Sequence, residues 1–423
     1  SDGFAYIEGA VKNGASAVMV SEDRVKDLNG IREKGVTILA AADDRIGLSA
    51  LSAAFYGHPS RSMMVIGVTG TNGKTSITYM LESVGRQAGY KPGVIGTVNY
   101  RWSGTSQAAP NTTPESRDLQ EIFHRMKQDG TDLVVMEVSS HALALHRADH
   151  IVFDAAVFTN LTRDHMDFHG DFEDYFGAKL RLFDILDRSP KLMRAGAVNA
   201  DDPYGLRILA EKGKYSYPVM SFGSGDCDLR IVPGSVTNKI TGLRYRLSAG
   251  VQEVDLSLKL AGTFQMYNSL ASFAAAYSLG FPLEAIRGGL EAITQVPGRF
   301  DAIHSDCGFS VVVDYAHTGD ALLKLLQSAR ELSPRRLITV FGCGGDRDKT
   351  KRPIMGSIAE EHSDLCIVTS DNPRTEVPEA IIADITAGMK GSNRRVIPDR
   401  ESAIREAVLE AGEGDIVVIA GKG

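Results

Sequence analysis

The chain has 423 residues, which at roughly 150 residues per domain suggests about three domains. Hydrophobic residues make up 43% and charged residues 23%, with 43 Gly and 15 Pro, so the composition excludes a disordered or collagen-like protein. The formal net charge of −7 and the single Trp argue against general binding to nucleic acids or anionic membranes. No apolar stretch approaches the roughly 20 residues that a membrane-spanning helix needs, so we expect no membrane span.

The four cysteines, Cys227, Cys307, Cys343 and Cys366, lie far apart and form no Cys-x-x-Cys pair. Neither a zinc knuckle nor a disulfide framework is indicated, and a reducing cytoplasm fits best. The sequence begins without Met and stops just after a strand-like segment enters a glycine loop, so we expect both ends to be truncated.

The pattern of apolar residues divides the chain into three predicted domains. Residues 1–60 alternate short helical stretches with small apolar runs, as in the remnant of an α/β domain. Residues 61–297 predict a central parallel α/β sheet, in which the stretch from about 217 to 260 alternates like a half-solvated antiparallel region. Residues 298–423 contain a second series of strands and helices, which predicts a separate Rossmann-like domain.

A glycine-rich phosphate-binding loop is predicted at Gly67-Val-Thr-Gly-Thr-Asn-Gly-Lys-Thr75, between an apolar strand and a helix. Glycines let backbone N–H groups approach a polyphosphate, Lys74 would reach the β- and γ-phosphates, and Thr75 can ligate Mg²⁺. The ordinary pattern requires Gly where Val68 stands, and Gly67 is one residue early. The alternative interpretation is a glycine turn with a solvated lysine.

Polar segments follow two further predicted strands. Glu137 ends a buried strand, where an unpaired carboxylate is costly, so a metal ion or a positive partner would explain it. The segment from Asn160 to His169 places acids and imidazoles, including His165 and Asp167, after the next strand, where α/β proteins bind ligands. Beside a phosphate loop we interpret this segment as a metal site, and a hydrogen-bonded turn is the alternative.

Lys179 occupies an apolar position of a predicted helix that starts near Phe172. Apolar side chains recur at positions 172, 175, 176, 183 and 186, and position 179 completes the i, i+3, i+4, i+7 stripe. Lys179 is therefore predicted to point inward. Burial lowers the pKa of an ammonium, and a neutral amine can react covalently, including with CO₂ to form a carbamate. A lysine that extends to the helix edge or pairs with an acid is the alternative.

Nine short motifs follow one another along nearly the whole chain. They are Gly70-Thr-Asn-Gly-Lys-Thr75, Asn111-Thr-Thr-Pro-Glu-Ser116, Met136-Glu-Val-Ser-Ser-His-Ala142, Asn160-Leu-Thr-Arg-Asp-His165, Tyr175-x-x-Ala-Lys179, Asn199-Ala-Asp-Asp-Pro203, Gly262-x-Phe-x-x-x-Asn268, Pro297-Gly-Arg299 and Asp314-Tyr-Ala-His317. Together these motifs resemble those of the Mur ligases of peptidoglycan synthesis. Asp371-Asn-Pro-Arg374 is similar to the amino-acid specificity motif of the members that add meso-diaminopimelate.

The resemblance implies an α/β, three-domain Mur ligase architecture, with residues 1–60 as the remnant of the UDP-substrate-binding domain. It implies that the D-Glu carboxylate of UDP-N-acetylmuramoyl-L-alanyl-D-glutamate attacks the terminal phosphate of ATP. The amine of meso-diaminopimelate would then displace phosphate from the acyl phosphate. Activation is needed because a carboxylate reacts poorly with an amine in water, and two Mg²⁺ would offset the repulsion between carboxylate and triphosphate. We expect a monomer in the bacterial cytoplasm.

Site residues are carried over from the family motif by motif. The resemblance implies catalytic roles for Lys74, Glu137, His165 and Lys179, with Thr75 and Glu137 at the first Mg²⁺, and Glu137, His165 and carbamylated Lys179 at the second. The implied ATP contacts are Gly70, Thr71, Asn72, Gly73, Lys74, Thr75, Asn268, Arg299 and Asp314. The implied contacts to the UDP substrate are Thr112, Thr113, Ser139 and Arg147, and those to the amino acid are Arg347, Asp371, Asn372, Arg374 and Gly421.

Selection of diaminopimelate over L-lysine requires a receptor for one additional carboxylate. Arg374 offers a planar fork, Asn372 an amide, and Arg347 can approach from the neighbouring strand end. The motif could instead be a proline turn with a solvated arginine.

Two positions depart from the family pattern. Gln265 stands where the family usually has Asn, and Gly319 replaces the usual Pro.

Three alternative functions remain open. The alternatives are the same reaction with L-lysine, a ligase of the folylpolyglutamate synthase type, and a non-catalytic nucleotide-binding protein. Asn111-Thr-Thr-Pro114 and Asp371-Asn-Pro-Arg374 count against the folylpolyglutamate type, and the inward Lys179 counts against a non-catalytic protein.

Overall fold

The computed structural model describes residues 3–32, 34–166, 168–250 and 252–421. Asp167, which was considered part of the predicted metal-binding loop, lies outside the described residues. The predicted α/β fold class is confirmed, since strands and helices alternate along most of the described chain. No helix in these ranges is long and apolar enough to cross a membrane.

The N-terminal segment is a small α/β unit, as its apolar runs predict. Its elements are α1 (Ile7–Lys12), β1 (Ala17–Ser21), α2 (Asn29–Arg32), β2 (Thr37–Ala41) and α3 (Asp44–Phe55), with short 3₁₀ turns at Gly3–Tyr6, Glu22–Leu28 and Pro59–Ser62. Strands β1 and β2 pair in parallel, with Ala17 opposite Thr37. Five buried side chains, including Val20 and Leu28, form its core.

A large sheet forms the centre of the molecule. Its strands are β3 (Met64–Thr69), β4 (Pro92–Ile95), β5 (Asn99–Trp102), β6 (Thr105–Ala108), β7 (Leu133–Glu137), β8 (Ala155–Phe158), β9 (Ala195–Asn199), β10 (Val219–Gly223), β11 (Leu229–Ile231), β12 (Thr237–Lys239), β13 (Gly242–Ala249) and β14 (Gln252–Leu258). The helices are α4 (Lys74–Gln87), α5 (Ser116–Gln128), α6 (Ser140–Ala144), α7 (Phe172–Asp187), α8 (Pro203–Ala210), α9 (Thr263–Ser278) and α10 (Leu283–Ala292), with a 3₁₀ turn at Lys212–Lys214.

The order of the strands places the phosphate loop at the middle of this sheet. Strands run β12-β13-β11-β10-β9-β8-β3-β7-β4-β5-β6, and β14 pairs with β13. Strands β4, β7, β3, β8, β9 and β10 are parallel, so the loops after β3, β7 and β8 meet at one edge. Helices α4, α9 and α10 cover one face with apolar side chains, and α5 and α7 cover the other. Both faces are therefore buried, which explains the continuous apolar runs of these strands.

The predicted antiparallel region starts later than the sequence pattern indicates. Strand β10 continues the parallel sheet, and β11 pairs with β10 in parallel before pairing with β13 antiparallel. Within this region, only strands β12, β13 and β14 make antiparallel pairs exclusively. A second antiparallel ribbon, β4-β5-β6, lies at the opposite edge and was not predicted, because β5 and β6 have only four residues each and β6 contains no large apolar side chain.

The C-terminal part is a six-stranded Rossmann-like sheet within the described residues. Its elements are β15 (Asp301–His304), β16 (Ser310–Asp314), α11 (Gly319–Glu331), β17 (Leu337–Phe341), α12 (Lys351–His362), β18 (Leu365–Val368), α13 (Pro378–Thr386), β19 (Arg394–Val396), α14 (Arg400–Glu410) and β20 (Ile416–Ala420). The order is β15-β16-β20-β17-β18-β19, parallel except for the edge strand β15. The four strands that the apolar runs predict are β16, β17, β18 and β20.

Candidate active site

The phosphate loop connects β3 to α4, and its glycines are required by its geometry. Gly70 and Gly73 have φ values of +141° and +92°, in the region that favours glycine. A Cβ atom on Gly70 would lie 1.8 Å from Oγ1 of Thr159, and one on Gly73 would lie 2.4 Å from Oδ1 of Asn268. The backbone can therefore approach its neighbours only because side chains are absent.

The loop after β8 holds the phosphate loop in place. The backbone N–H of Thr71 donates to Asn160 O at 2.8 Å, and that of Asn72 donates to Asn160 Oδ1 at 3.0 Å. Thr159 Oγ1 donates to Asn72 O at 2.6 Å, and the hydroxyls of Thr71 and Tyr175 lie 3.1 Å apart. These bonds fix the conformation of the loop independently of any nucleotide.

Two lysines converge on one carbonyl oxygen. Lys74 Nζ donates to Gly70 O and to Thr71 O, both at 2.8 Å, and Lys179 Nζ donates to Gly70 O at 2.9 Å. Lys179 is 1% exposed, so its side chain points inward as the helical stripe predicts. Burial lowers the pKa of both lysines, and the charge of Lys74 lowers that of Lys179 further. Burial thus disfavours the charged form of Lys179.

Glu137 is a buried carboxylate whose partners are neutral donors. Its Oε1 accepts from Thr75 Oγ1 at 3.0 Å and from the Thr97 backbone N–H at 2.8 Å, and its Oε2 accepts from Thr97 Oγ1 at 3.0 Å. The side chain of Arg299 reaches Thr75 Oγ1 at 3.2 Å. Thr97 was missed by the sequence analysis, because it belongs to no recognisable motif and meets Glu137 only through the pairing of β4 with β7.

The predicted metal ligands are only partly brought together. Thr75 and Glu137 are in contact, whereas the described contacts of Lys179 are to Gly70 and the Tyr175 ring. The ring of His165 packs edge-on against that of His141, 4.7 Å away between centroids. No group of three or more His, Cys, Asp or Glu side chains in the described ranges could hold a metal ion by itself. Thr75 and Glu137 offer oxygen donors, the kind of ligand that Mg²⁺ takes from proteins before phosphate oxygens and water complete its shell.

Arg299, Asn268 and Asp314 form a connected group at the domain junction. Asn268 Nδ2 donates to Gln265 Oε1 at 3.0 Å, and Gln265 Nε2 donates to Arg299 O at 3.3 Å. Asp314 accepts from the backbone N–H of Phe300 at 2.7 Å, and burial raises the pKa of its carboxyl. Gln265, which departs from the family pattern, thus links two of the predicted ATP contacts.

The four residues predicted for the UDP substrate lie next to Glu137. Thr113 Oγ1 donates to Glu137 O at 2.9 Å and accepts from the Ser139 N–H at 3.1 Å. Arg147 donates to Thr113 O at 3.2 Å. The hydroxyl of Thr112 is 3.1 Å from that of Thr97, which itself binds Glu137.

The residues predicted for the amino acid lie at the carboxyl ends of β17, β18 and β20. Arg374 donates through Nη1 to Gly345 O at 2.6 Å, and Asn372 O accepts from the Gly345 N–H at 2.9 Å. Gly421 has a φ of +99°, and a Cβ there would lie 3.2 Å from Oδ2 of Asp371. Arg347 is exposed on the loop after β17. The three strand ends thus form one cluster, separate from the phosphate loop.

Comparisons with known proteins identify the family of this chain. The model of the Mur ligase middle domain matches residues 68–276, and that of the Mur ligase glutamate ligase domain matches residues 298–423. A UDP-N-acetylmuramoyl-L-alanyl-D-glutamate–2,6-diaminopimelate ligase of Geobacter metallireducens is 43% identical over 100% of this chain and 84% of its own length. A ligase of the same name from Clostridioides difficile is 44% identical, covering 100% and 85% respectively.

Solved structures show the same fold. A UDP-N-acetylmuramoyl-L-alanyl-D-glutamate–2,6-diaminopimelate ligase superposes with a TM-score of 0.71 at 29% identity, over 96% of this chain and 86% of that chain. A folylpolyglutamate synthase of Mycobacterium tuberculosis reaches a TM-score of 0.71 at 20% identity, over 90% and 92%, which is a likeness of fold alone. The chain therefore belongs to the Mur ligase family of ATP-dependent, peptide-forming ligases.

Proposed function

We propose that this chain adds meso-diaminopimelate to the D-Glu of UDP-N-acetylmuramoyl-L-alanyl-D-glutamate, with cleavage of ATP to ADP and phosphate, in peptidoglycan precursor synthesis. The observation that carries the proposal is the match of the whole chain, at 40–44% identity, to relatives named for this reaction. The phosphate loop, the Glu137 cluster and the three strand ends of the C-terminal sheet supply a site for each substrate. We place the reaction in the bacterial cytoplasm, and we propose that the enzyme is a monomer.

The first step is phosphoryl transfer. A D-Glu carboxylate oxygen attacks the γ-phosphorus of ATP, and the bond from this phosphorus to the β-phosphate oxygen breaks. The products of this step are ADP, which is the leaving group, and an acyl phosphate on D-Glu. Lys74 would stabilise the charge on the transferring phosphoryl group, and Arg299 would approach it from the domain junction, because both side chains reach the phosphate loop or Thr75. Gly70, Thr71, Asn72, Gly73 and Thr75 would hold the polyphosphate.

The second step is acyl transfer. The amine of diaminopimelate, after losing its ammonium proton, attacks the acyl carbon, and phosphate leaves as the C–N bond forms. Asp371, Asn372, Arg374, Gly421 and Arg347 would hold the amino acid at the carboxyl ends of the C-terminal strands. Arg374 would face the carboxylate that L-lysine lacks, since an exposed planar guanidinium can bind a carboxylate through two hydrogen bonds.

Two Mg²⁺ would supply charge neutralisation between the carboxylate and the triphosphate. Thr75 and Glu137 would hold one ion, and Glu137, His165 and carbamylated Lys179 the other. Carbamylation joins the neutral Nζ of Lys179 to the carbon of CO₂ and releases one proton. The burial of Lys179 and the lowered pKa of its amine support this modification, because the uncharged amine is the form that reacts with CO₂.

The domain boundaries at 60/61 and 297/298 are part of the proposal. Two observations support them: the family matches span residues 68–276 and 298–423, and separate sheets form on the two sides of Pro297.

Amino-acid-dependent ADP formation tests the function. Wild-type protein would be supplied with ATP, Mg²⁺ and either the UDP-muramoyl-dipeptide or a pteroylglutamate, each with meso-diaminopimelate, L-lysine or L-glutamate. We expect ADP only with the UDP-muramoyl-dipeptide and diaminopimelate. Turnover with the pteroylglutamate would indicate the folylpolyglutamate type, and ATP binding without turnover on any pair would indicate a non-catalytic protein.

A further inference from the structure

Arg352, in the first turn of α12, is a fully buried arginine outside the residues assigned so far. Its side chain is 0% exposed. Nη2 donates to Glu376 Oε1 at 2.7 Å, and Nη1 donates to Glu376 Oε2 at 3.0 Å and to Asp384 Oδ2 at 2.8 Å. Nη2 also lies 3.4 Å from Gly344 O. A buried charge is costly unless it is paired, and here both Nη atoms are paired while the buried Nε has no partner in the described residues. The two carboxylates are therefore held against the Nη edge of the guanidinium.

Two of the three partners of Arg352, Gly344 and Glu376, belong to loops at neighbouring strand ends, and the third, Asp384, lies in α13. The first loop, residues 342–347, follows β17 and carries Arg347, and the second loop, residues 371–376, follows β18 and carries Asn372 and Arg374. Strands β17 and β18 pair in parallel, so both loops leave the same edge of the sheet. Arg352 therefore contacts both loops, the first through Gly344 and the second through Glu376.

Glu376 extends this contact back to the first loop. Its Oε1 accepts from the backbone N–H of Asp346 at 2.6 Å, in addition to the bond from Arg352. The hydrogen bonds from Arg352 lower the pKa of Glu376 to about 2, so its carboxylate stays charged at physiological pH. The Asp346 carboxylate accepts in turn from the Thr375 hydroxyl at 2.6 Å and from its N–H at 3.1 Å.

Backbone conformation in both loops requires such support. Asp346 and Arg374 have φ values of +52° each, a left-handed conformation that costs a non-glycine residue free energy unless neighbouring contacts impose it. A Cβ on Gly345 would lie 1.9 Å from Pro373 O, so the two loops are also in close backbone contact. The direction of the Arg374 side chain thus depends on how the loops are joined.

We propose that Arg352 is a positioning residue for the amino-acid pocket, which holds the loops carrying Arg347, Asn372 and Arg374 in the geometry that receives the carboxylate of the substrate. The proposal rests on the proposed function. Arg352 is too buried to touch the substrate and acts through Glu376 and Gly344. Its loss should therefore weaken binding of the amino acid and leave the phosphate loop unchanged.

The test compares Arg352→Lys with wild type in steady-state kinetics for each of the three substrates. Lysine retains the charge but lacks the planar fork that binds Glu376 and Asp384 together. We expect the KM for diaminopimelate to rise about ten-fold or more, since small displacements of positioning groups have large effects. The KM values for ATP and for the UDP substrate should stay within about two-fold. Arg395→Lys is the matched control, because Arg395 pairs with Glu406 and Glu410 on the surface of the same domain, and it should behave as wild type.

A folded Arg352→Lys protein with an unchanged KM for diaminopimelate would overturn the proposal, as would an equal rise in all three KM values. If Arg352→Lys does not fold, Glu376→Gln is tested in its place. This substitution keeps the side-chain volume and removes the ion pair between Arg352 and Glu376. A selective rise in the KM for the amino acid then supports the proposal, and no selective rise refutes it. Wild type is assayed first with diaminopimelate and L-lysine. Preference for L-lysine would refute the proposed function, and the role of Arg352 would then be measured by the KM for lysine.

Discussion

Lys74 and Lys179 donate to the same carbonyl oxygen of Gly70, yet we assign them different roles. Lys74 opens helix α4 and lies at the half-buried surface of the phosphate loop, whereas Lys179 is 1% exposed within α7. A lysine whose Nζ is bonded to two carbonyl oxygens of the loop suits the stabilisation of transferring charge. A buried amine with a lowered pKa suits covalent capture of CO₂.

Replacing Lys74 tests its assignment. We expect Lys74→Ala to reduce kcat on the order of 100-fold or more, because a charge that stabilises the transition state is removed. The melting temperature should change little, since the hydrogen bonds that join the loop to Asn160 and Thr159 remain. Lys127→Ala, an exposed lysine at the end of α5, is the control and should be fully active. Near-normal turnover of folded Lys74→Ala would remove Lys74 from the mechanism.

Replacing Lys179 tests the carbamate. Lys179→Ala should be nearly inactive, and short-chain carboxylates should partly restore ADP formation, because they supply the missing anionic oxygens. Wild-type protein equilibrated with ¹³C-labelled CO₂ should give a carbamate carbon signal in NMR spectra that Lys179→Ala lacks. An identical spectrum for both proteins, or full activity of the variant, would contradict the modification.

At the scale of elements, the turn from β3 into α4 decides how closely the protein approaches a nucleotide. Gly73→Ala would introduce a Cβ 2.4 Å from Asn268 Oδ1 at a φ of +92°. Gly89 has a φ of +86°, and a Cβ atom there would meet no other atom within 4 Å. Gly89→Ala therefore measures the free-energy cost of the backbone conformation alone.

We expect both variants to lose about 1–2 kcal/mol of unfolding free energy from backbone strain. Only Gly73→Ala should also raise the Kd for ATP, because only there must Asn268 and the loop move. Urea denaturation and ATP titration separate these effects. Equal ATP affinity of the two variants would show that the close approach at Gly73 is irrelevant to binding.

The elements that the sequence predicted well are those with continuous apolar runs, most of which are buried on both faces. Strands β3, β7, β8, β16, β17, β18 and β20 are continuous apolar runs, and the inward position of Lys179 followed from its place in a helical stripe. Strands β5, β6 and β19 are short and polar, so no periodicity marks them. Thr97 and Arg352 could not be predicted as partners of Glu137 and Glu376, because strand pairing and loop packing bring them together.

At the scale of the whole molecule, the candidate site is assembled from separate parts of the chain. Arg299, at the junction with the C-terminal part, reaches Thr75 of the phosphate loop, and Thr162 Oγ1 donates to Asp320 Oδ2 at 2.9 Å across the same boundary. The proposed receptor for the amino acid and the proposed loop for ATP are carried by two different sheets. Relative movement of these sheets would couple amino-acid binding to phosphoryl transfer.

We propose that the C-terminal strand ends select diaminopimelate by its additional carboxylate. The most direct test supplies equimolar meso-diaminopimelate and L-lysine to the wild-type protein with ATP and the UDP-muramoyl-dipeptide, and measures the tripeptide products by mass spectrometry. We predict that the diaminopimelate product predominates, and that Arg374→Ala loses this preference without a change in the KM for the UDP substrate. A lysine product equal to or greater than the diaminopimelate product from wild-type protein would contradict the account.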